Sequence, residues 1–282
     1  MDVIVVGTGA DAVFDGASLP SAMPGAEGPD QLPELTRAWE AIAADGPALV
    51  LLPSWGPPRQ REAYDALRML VGPARIVLVE TTLPPVGASV LAAALAGAGD
   101  RYDDAGLVAL LAPALERHVV SLAWTASVAQ LEHVEVPLGL HARSYVSRKG
   151  FVVQANPVRS VSPVTDHTPP SVALPAEPVA LVADQEGSQA WRTSVLEPIL
   201  AGGQVVAVEP STASARYWGS KRFIEVAIAP SALQPMISDA SGRLPVVACR
   251  WCGGTALPDH CPTCRPGRPP APAAAPAEED AS

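Results

Sequence analysis

The chain has 282 residues, 48% of them hydrophobic, and a formal net charge of −10. This length supplies the core of one large α/β domain or two smaller ones. The negative charge disfavours nucleic acid and anionic lipid surfaces as partners, apart from any local basic patch.

The cellular context is indicated by the cysteines and by the N-terminus. The only four cysteines lie close together near the C-terminus, which leaves none for disulfides elsewhere and indicates a reducing compartment. The first ten residues lack a cationic leader, and the longest apolar-rich stretch, 86–98, is too short to span a bilayer. Only two of the 19 basic residues are lysines, a bias typical of high-GC bacteria. We therefore expect a bacterial, cytoplasmic protein without a membrane span.

Short apolar, β-branched runs alternate with segments of helical spacing along the chain. The alternation covers the first 80 residues and recurs around 179–208, which predicts parallel strands covered by helices. Segment 119–160 has strands without room for helices between them, so we expect it to be antiparallel. The predicted strands are 3–6, 48–52, 75–79, 119–124, 133–136, 151–154, 179–183, 204–208 and 223–228, and the predicted helices are 35–44, 59–70, 88–98, 106–118 and 189–200.

Proline-rich segments predict the domain boundaries. The connector 161–178 has little periodicity and the composition of a semi-rigid linker, so it separates a first α/β unit, 1–160, from a second, 179–242. A small metal-binding module is expected at 243–265. The remaining residues, 266–282, contain no large apolar side chain and are expected to be disordered.

A glycine pair follows the first predicted strand. Gly7 and Gly9 match the glycines of a dinucleotide-binding loop, which would hold a phosphate at the start of a helix. The following residues, FDGASLPSAMPG, break any helix after about one turn. An ordinary glycine-rich strand exit is therefore the favoured interpretation, and phosphate binding is the alternative.

Three predicted strands end in an acidic residue, namely Glu80, Asp184 and Glu209. In one parallel sheet these carboxylates would share the C-terminal edge, where they could bind Mg²⁺ or act as acid and base. Capping of helix starts and solvation of strand ends are the simpler interpretations.

The segment before the last predicted strand mixes cations, aromatic residues and a glycine. As a loop it could contact a phosphate, a base or an acidic partner surface, or it could anchor its aromatic residues in the core. The candidate partner-binding residues are Arg216, Tyr217, Trp218, Lys221 and Arg222.

The cysteines form the strongest motif in the chain. Cys249 and Cys252 make one Cys-x-x-Cys pair, and Cys261 and Cys264 make the second, eight residues later. Two such pairs can place four thiolates around a tetrahedral Zn²⁺ with no position left for water, which indicates a structural site. Gly253 follows the first pair, where a positive φ is often needed.

Residues 246–265 resemble the zinc-ribbon class. The resemblance implies a structural clip, a protein-docking platform or a nucleic-acid reader. Trp251 lies between the first two cysteines and must either pack against the main body or contact a partner.

From these motifs we predict a non-enzymatic zinc-binding adaptor or assembly protein that uses its ribbon for contacts with a protein partner or in a homo-oligomer. The first alternative is an α/β enzyme acting on a nucleotide or another phosphorylated substrate. The second is a nucleic-acid-binding ribbon protein.

Overall fold

A computed structural model describes residues 2–6, 13–14, 17–18, 22–23, 28–42, 47–72, 75–147, 149–164, 173–200 and 202–264. The strands are β1 (Asp2–Val6), β2 (Val13–Phe14), β3 (Ala17–Ser18), β4 (Ala22–Met23), β5 (Ala48–Pro53), β6 (Ile76–Thr81), β7 (Val120–Thr125), β8 (Phe151–Asn156), β9 (Ser160–Pro163), β10 (Pro178–Gln185), β11 (Gln204–Val208), β12 (Phe223–Pro230), β13 (Val247–Ala248) and β14 (Thr255–Ala256).

The α-helices are α1 (Leu32–Ile42), α2 (Gln60–Val71), α3 (Pro85–Arg101), α4 (Ala105–Glu116), α5 (Leu138–Ser144), α6 (Gln189–Trp191), α7 (Glu197–Ile199), α8 (Thr212–Trp218) and α9 (Gln234–Gly242). A 3₁₀ turn, Pro29–Gln31, precedes α1, and a π-helical turn, Arg192–Leu196, joins α6 to α7.

Two main sheets form the framework. The first has the order β4-β1-β5-β6 and is parallel throughout. The second has the order β11-β10-β12-β7-β8-β9, in which only β10 and β11 run parallel. The predicted α/β class, with a parallel part and an antiparallel part, is confirmed.

Helix α3 lies between the two sheets. Up to Gly99 its residues are apolar or small all round, and most of them are buried, as expected of a helix covered on every side. One cluster joins α3, α4 and α9 to the inner faces of β1, β5 and β6 and of β10 and β12. The two sheets therefore share one central helical layer.

The outer faces of both sheets are covered as well. Helices α1 and α2 pack on the first sheet through Leu35, Trp39 and Leu67. The helical segment 189–199 packs on the second sheet through Trp191 and Val195. The molecule thus has five layers, in the order helix, sheet, helix, sheet, helix.

Three predictions of local structure need correction. Helix α5 lies within segment 119–160, where no helix was expected. Residues 133–136 form no strand and belong to an irregular segment that covers the inner face of the second sheet. The predicted connector 161–178 overlaps the end of β9 and the first residue of β10, and both strands belong to the second sheet. The predicted tail, residues 266–282, lies outside the described residues.

Candidate ligand cavity and cysteine cluster

A cavity of about 550 Å³ opens beside the inner face of the second sheet. Three segments far apart in sequence build it. These are the turn after β5, the irregular segment after β7, and α8 with the turn that follows it. The lining residues are Trp55, Ala129, Gln130, Leu131, Glu132, His133, Ala215, Arg216, Gly219, Ser220 and Lys221.

The rings of Trp55 and His133 form one wall of the cavity, and the Tyr217 ring lies behind them. The Trp55 indole N–H donates to the Leu83 carbonyl at 2.7 Å, which fixes the indole against the loop before α3. The buried Tyr217 ring contacts Trp55 edge to face at 5.5 Å and stacks on His133 at 4.8 Å. The wall is therefore held by α8 on one side and by the loop before α3 on the other.

Gly219 brings two of the three segments together. It ends α8 with a φ of 57°, a conformation that favours glycine. A Cβ at this position would lie 2.1 Å from the Gln130 carbonyl oxygen. Only glycine allows α8 and the segment around Gln130 to approach so closely.

The cavity lining carries two cations, Arg216 and Lys221, and one carboxylate, Glu132. Burial lowers the pKa of His133, against the nearby carboxylate of Glu132, which raises it. Burial therefore favours the neutral form of the imidazole. The charged residues of the lining therefore sum to one positive charge, although the whole chain has a net negative charge.

A buried carboxylate lies behind the aromatic wall. Glu225 faces inward from β12 and is 1% exposed, and its Oε1 accepts a hydrogen bond from the Val86 N–H of the first turn of α3 at 2.8 Å. Burial raises the pKa of Glu225 to about 7, against Ser214, Val86 and Trp218, which lower it. This carboxylate caps the central helix.

The four cysteines form a compact cluster. The Sγ atoms of Cys249 and Cys264 are 3.7 Å apart, as are those of Cys252 and Cys261, and all four lie within 4.8 Å of one another. Zn–S bonds of about 2.3 Å in a tetrahedron place sulfurs about 3.8 Å apart. The four cysteines lie close enough to bind one metal ion.

The backbone around the cluster has the expected turn. Gly253 has a φ of 74°, which confirms the sequence prediction for this position. Its N–H donates to the Cys249 carbonyl at 2.9 Å, and Gly254 accepts from the Cys249 N–H at 2.8 Å. A two-stranded hairpin, β13 with β14, carries this first cysteine pair.

The structure does not bring the three strand-end acids together. Glu80 belongs to the first sheet and pairs with Arg61 at 2.7 Å. Asp184 belongs to the second sheet and pairs with Arg192 at 3.2 Å, and Glu209 follows the neighbouring strand β11. Among the described residues, only the cysteines form a group that could hold a metal. Gly7 and Gly9 lie outside the described residues.

The expected contact loop is largely a helix. Residues 212–218 form α8, and Tyr217 and Trp218 are buried in the core, so they cannot contact a partner. Arg222 donates to the Glu186 carbonyl at 3.1 Å. Trp251 is 73% exposed on the ribbon, and its expected role in partner contacts stays a prediction.

Sequence reasoning missed Trp55, His133 and Glu225. The first two are single residues in irregular segments, and only the fold places them beside Arg216 and Lys221. Glu225 had a local signal, because it is one charged residue within the apolar strand FIEVAIAP.

None of the described helices is both long enough and apolar enough to cross a bilayer.

Comparison with known proteins gives a match in structure but not in sequence. No protein-family model and no curated protein matches the chain. Among solved structures, a DegV family protein from Eubacterium eligens loaded with heptadecanoic acid has a TM-score of 0.54 and 10% identity, and the alignment covers 81% of this chain and 99% of that one.

Two further structures have the same fold. The Streptococcus pneumoniae fatty acid kinase B3 protein, loaded with linoleic acid, has a TM-score of 0.54 and 9% identity, with 82% of this chain and 100% of that one covered. A fatty-acid-binding DegV family protein from Thermus thermophilus has a TM-score of 0.52 and 11% identity, with 81% and 99% covered. At these identities the likeness establishes a shared fold.

The fold corrects the functional interpretation of the sequence. The prediction of a zinc-binding adaptor rested on the cysteine cluster, whereas the main body has the fold of structures solved with fatty acids. The adaptor interpretation is therefore wrong, as is its emphasis on zinc-mediated protein contacts. The fold favours neither the nucleotide-dependent enzyme nor the nucleic-acid reader. A protein partner stays a prediction, in keeping with the neighbour named as a fatty acid kinase B3 protein.

Proposed function

We propose that this protein binds a long-chain fatty acid in the cavity beside Trp55, His133 and α8. The observation that carries the proposal is the pairing of an aromatic, aliphatic wall with two cations in one cavity of about 550 Å³. Ligand pockets range from about 300 to 1,000 Å³, so the volume suits a small lipid. Structures with this fold were solved with heptadecanoic and linoleic acid, which supports the same ligand class here.

The cavity chemistry suits an amphipathic acid. Arg216 and Lys221 can pair with a carboxylate, and charge-assisted hydrogen bonds are about twice as strong as neutral ones. Trp55 and Leu131 offer apolar surface to a hydrocarbon chain, whose transfer from water contributes about 0.8 kcal/mol per buried CH₂. Burial favours the neutral form of His133, so the carboxylate would pair with the two cations.

The test is ligand binding by the purified chain. Palmitic acid should quench or shift the tryptophan fluorescence, to which Trp55 contributes, in a saturable titration. Its methyl ester should bind at least tenfold more weakly because it lacks the charge. Organic extraction and mass spectrometry should find fatty acids in the protein as purified. Absence of both saturable binding and co-purified lipid would refute the proposal.

A variant pair tests the anion contact. Arg216→Gln should weaken palmitic acid binding roughly tenfold, because one charge-assisted contact is lost. Arg117→Gln removes an exposed cation outside the cavity and should leave the affinity unchanged. Equal affinities of the two variants would show that Arg216 does not hold the carboxylate.

We also propose that Cys249, Cys252, Cys261 and Cys264 bind one structural Zn²⁺. Zinc is supported by the four-thiolate donor set and by the sulfur distances of 3.7 Å from Cys249 to Cys264 and from Cys252 to Cys261. Elemental analysis should find about one zinc per chain, and Cys252→Ser should lower this content. Iron at that stoichiometry, or no metal, would refute the assignment.

A further inference from the structure

The cysteine-bearing ribbon, residues 243–264, docks on the main body through two polar contacts. The Arg68 guanidinium donates to the Thr263 carbonyl, and the Thr255 hydroxyl donates to the Asp104 carboxylate. Arg68 is 8% exposed, so its contact is a buried one. Asp104 also caps α4 by accepting from the Leu107 N–H at 3.0 Å.

Gly106 allows the ribbon to approach α4 closely. A Cβ at Gly106 would lie 2.7 Å from the Thr255 carbonyl oxygen, which is a backbone atom and cannot swing away. Alanine is otherwise the better residue inside a helix by about 1 kcal/mol. The glycine is therefore explained by the docked ribbon rather than by the helix itself.

The ribbon thus contacts α2, through Arg68, and the start of α4. These two helices lie on opposite faces of the first sheet. Helix α2 belongs to the outer cluster, with Ala63, Tyr64 and Leu67. Helix α4 belongs to the central layer and packs against β6 from the inner side. Because β6 is the edge strand of this sheet, the ribbon can reach both helices around that edge.

An uncovered edge strand is a hazard, because its free N–H and C=O groups can pair with another chain. Strand β6 is apolar and mostly buried even though it is an edge, with Ile76 and Val77 at 0% and 1% exposure. A cover at this edge would protect both the strand and the helices that flank it.

We infer that the metal-loaded ribbon is a clamp that joins α2 to α4 across the edge strand β6. The ribbon is too small to fold by itself, since structural zinc modules of this size are unfolded without the ion. The clamp is therefore conditional on metal. This inference rests on the proposed metal ion and is independent of the proposed fatty acid.

Hydrogen exchange on the full chain tests the clamp. Zinc-loaded protein is compared with protein stripped by a strong zinc chelator, with elemental analysis of both samples. Loss of metal should raise amide exchange at least tenfold in β6, in α2 and in the first turn of α4. The amides of β10 and β12 should be unchanged, because the second sheet lies on the far side of the central layer.

The outcomes separate the two claims. A protein purified without metal refutes the zinc assignment itself. If zinc is present and its removal changes exchange only within the ribbon, the ion is structural for the ribbon but the clamp is refuted.

Two glycine substitutions distinguish docking of the ribbon from metal binding. Gly106→Ala should keep its zinc and still raise exchange in β6, because the new methyl group pushes the ribbon away. Gly97→Ala, in α3, is the matched control, since its added Cβ would find ordinary contacts at 3.7 Å with the Gln234 and Ile237 side chains of α9. Unchanged exchange of β6 in zinc-loaded Gly106→Ala would overturn the clamp.

Discussion

At the scale of single residues, Glu225 is an acidic side chain in the interior of the protein. It is a fully buried carboxylate, and its neighbours across the sheet are alanines, Ala123 and Ala183. The small neighbours leave room for the first turn of α3, whose Val86 N–H needs an acceptor. The carboxyl satisfies that donor, but burial raises its pKa from the usual 4.5 to about 7.

Glu225 should make stability depend on pH. Below about pH 4.5 the carboxyl is protonated in the folded and unfolded states alike. Between pH 5 and pH 8 the unfolded chain has lost this proton, whereas the folded protein loses it only through pH 7, so the free energy of unfolding falls by about 2 to 3 kcal/mol. Urea unfolding of the wild type and of Glu225→Gln at both pH values should show this fall only in the wild type.

Glu209→Gln is the matched control for this experiment, because it removes an exposed carboxylate and changes the net charge equally. Its stability should follow the pH dependence of the wild type. If the free energies of unfolding of the wild type and of Glu225→Gln changed equally with pH, the raised pKa of Glu225 would be contradicted.

At the scale of elements, the sequence predicted those whose signal is local. Helices α2 and α4 and strands β5 and β6 have their apolar residues at the spacing that each structure requires. Helix α8 has no such pattern, since TASARYW is short and mixed in polarity. It forms because Ser211 caps its start, Gly219 ends it, and Tyr217 and Trp218 are buried against the second sheet. The last of these causes is tertiary and could not be read locally.

Gly219→Ala should disrupt this element and the cavity together. A left-handed residue other than glycine costs about 1 to 2 kcal/mol, and the clash with the Gln130 carbonyl adds to that, so we expect a loss of roughly 3 kcal/mol. Thermal unfolding measures the loss, and palmitic acid titration should show weakened binding.

Gly242→Ala provides the comparison, because Gly242 lies in α9 and nothing is within 4 Å of its added Cβ. It should be neutral or slightly stabilising. If Gly219→Ala behaves in the same way, the close approach to Gln130 is not important for stability.

At the scale of the whole molecule, the fold class could be predicted but the position of the site could not. The alternation of strands and helices predicted the parallel sheet. The closely spaced strands of segment 119–160 predicted the antiparallel part. The sharing of one helical layer by two sheets depends on packing, as does the cavity. Residues such as Trp55 and His133 meet only through contacts between distant segments.

Because both sheets pack on the same helical layer, we expect the protein to unfold in one cooperative transition. Leu91 is fully buried in α3, in the cluster that joins both sheets, and Leu91→Ala should cost about 3 to 5 kcal/mol. Tryptophan fluorescence reports on Trp39 of the first outer layer and Trp191 of the second, and it should change together with far-ultraviolet circular dichroism.

Leu138→Ala, at a residue 86% exposed, should change stability by less than about 0.5 kcal/mol. Two separate transitions in Leu91→Ala would mean that the sheets unfold independently.

The central position of α3 also has a consequence for synthesis on the ribosome. One side of this helix packs on β1, which is made before it, but the other packs on β12, which begins at Phe223. While the intervening residues are being translated, the apolar surface meant for the second sheet has no native cover. The nascent protein must therefore be shielded over that interval, either by its own transient collapse or by chaperones.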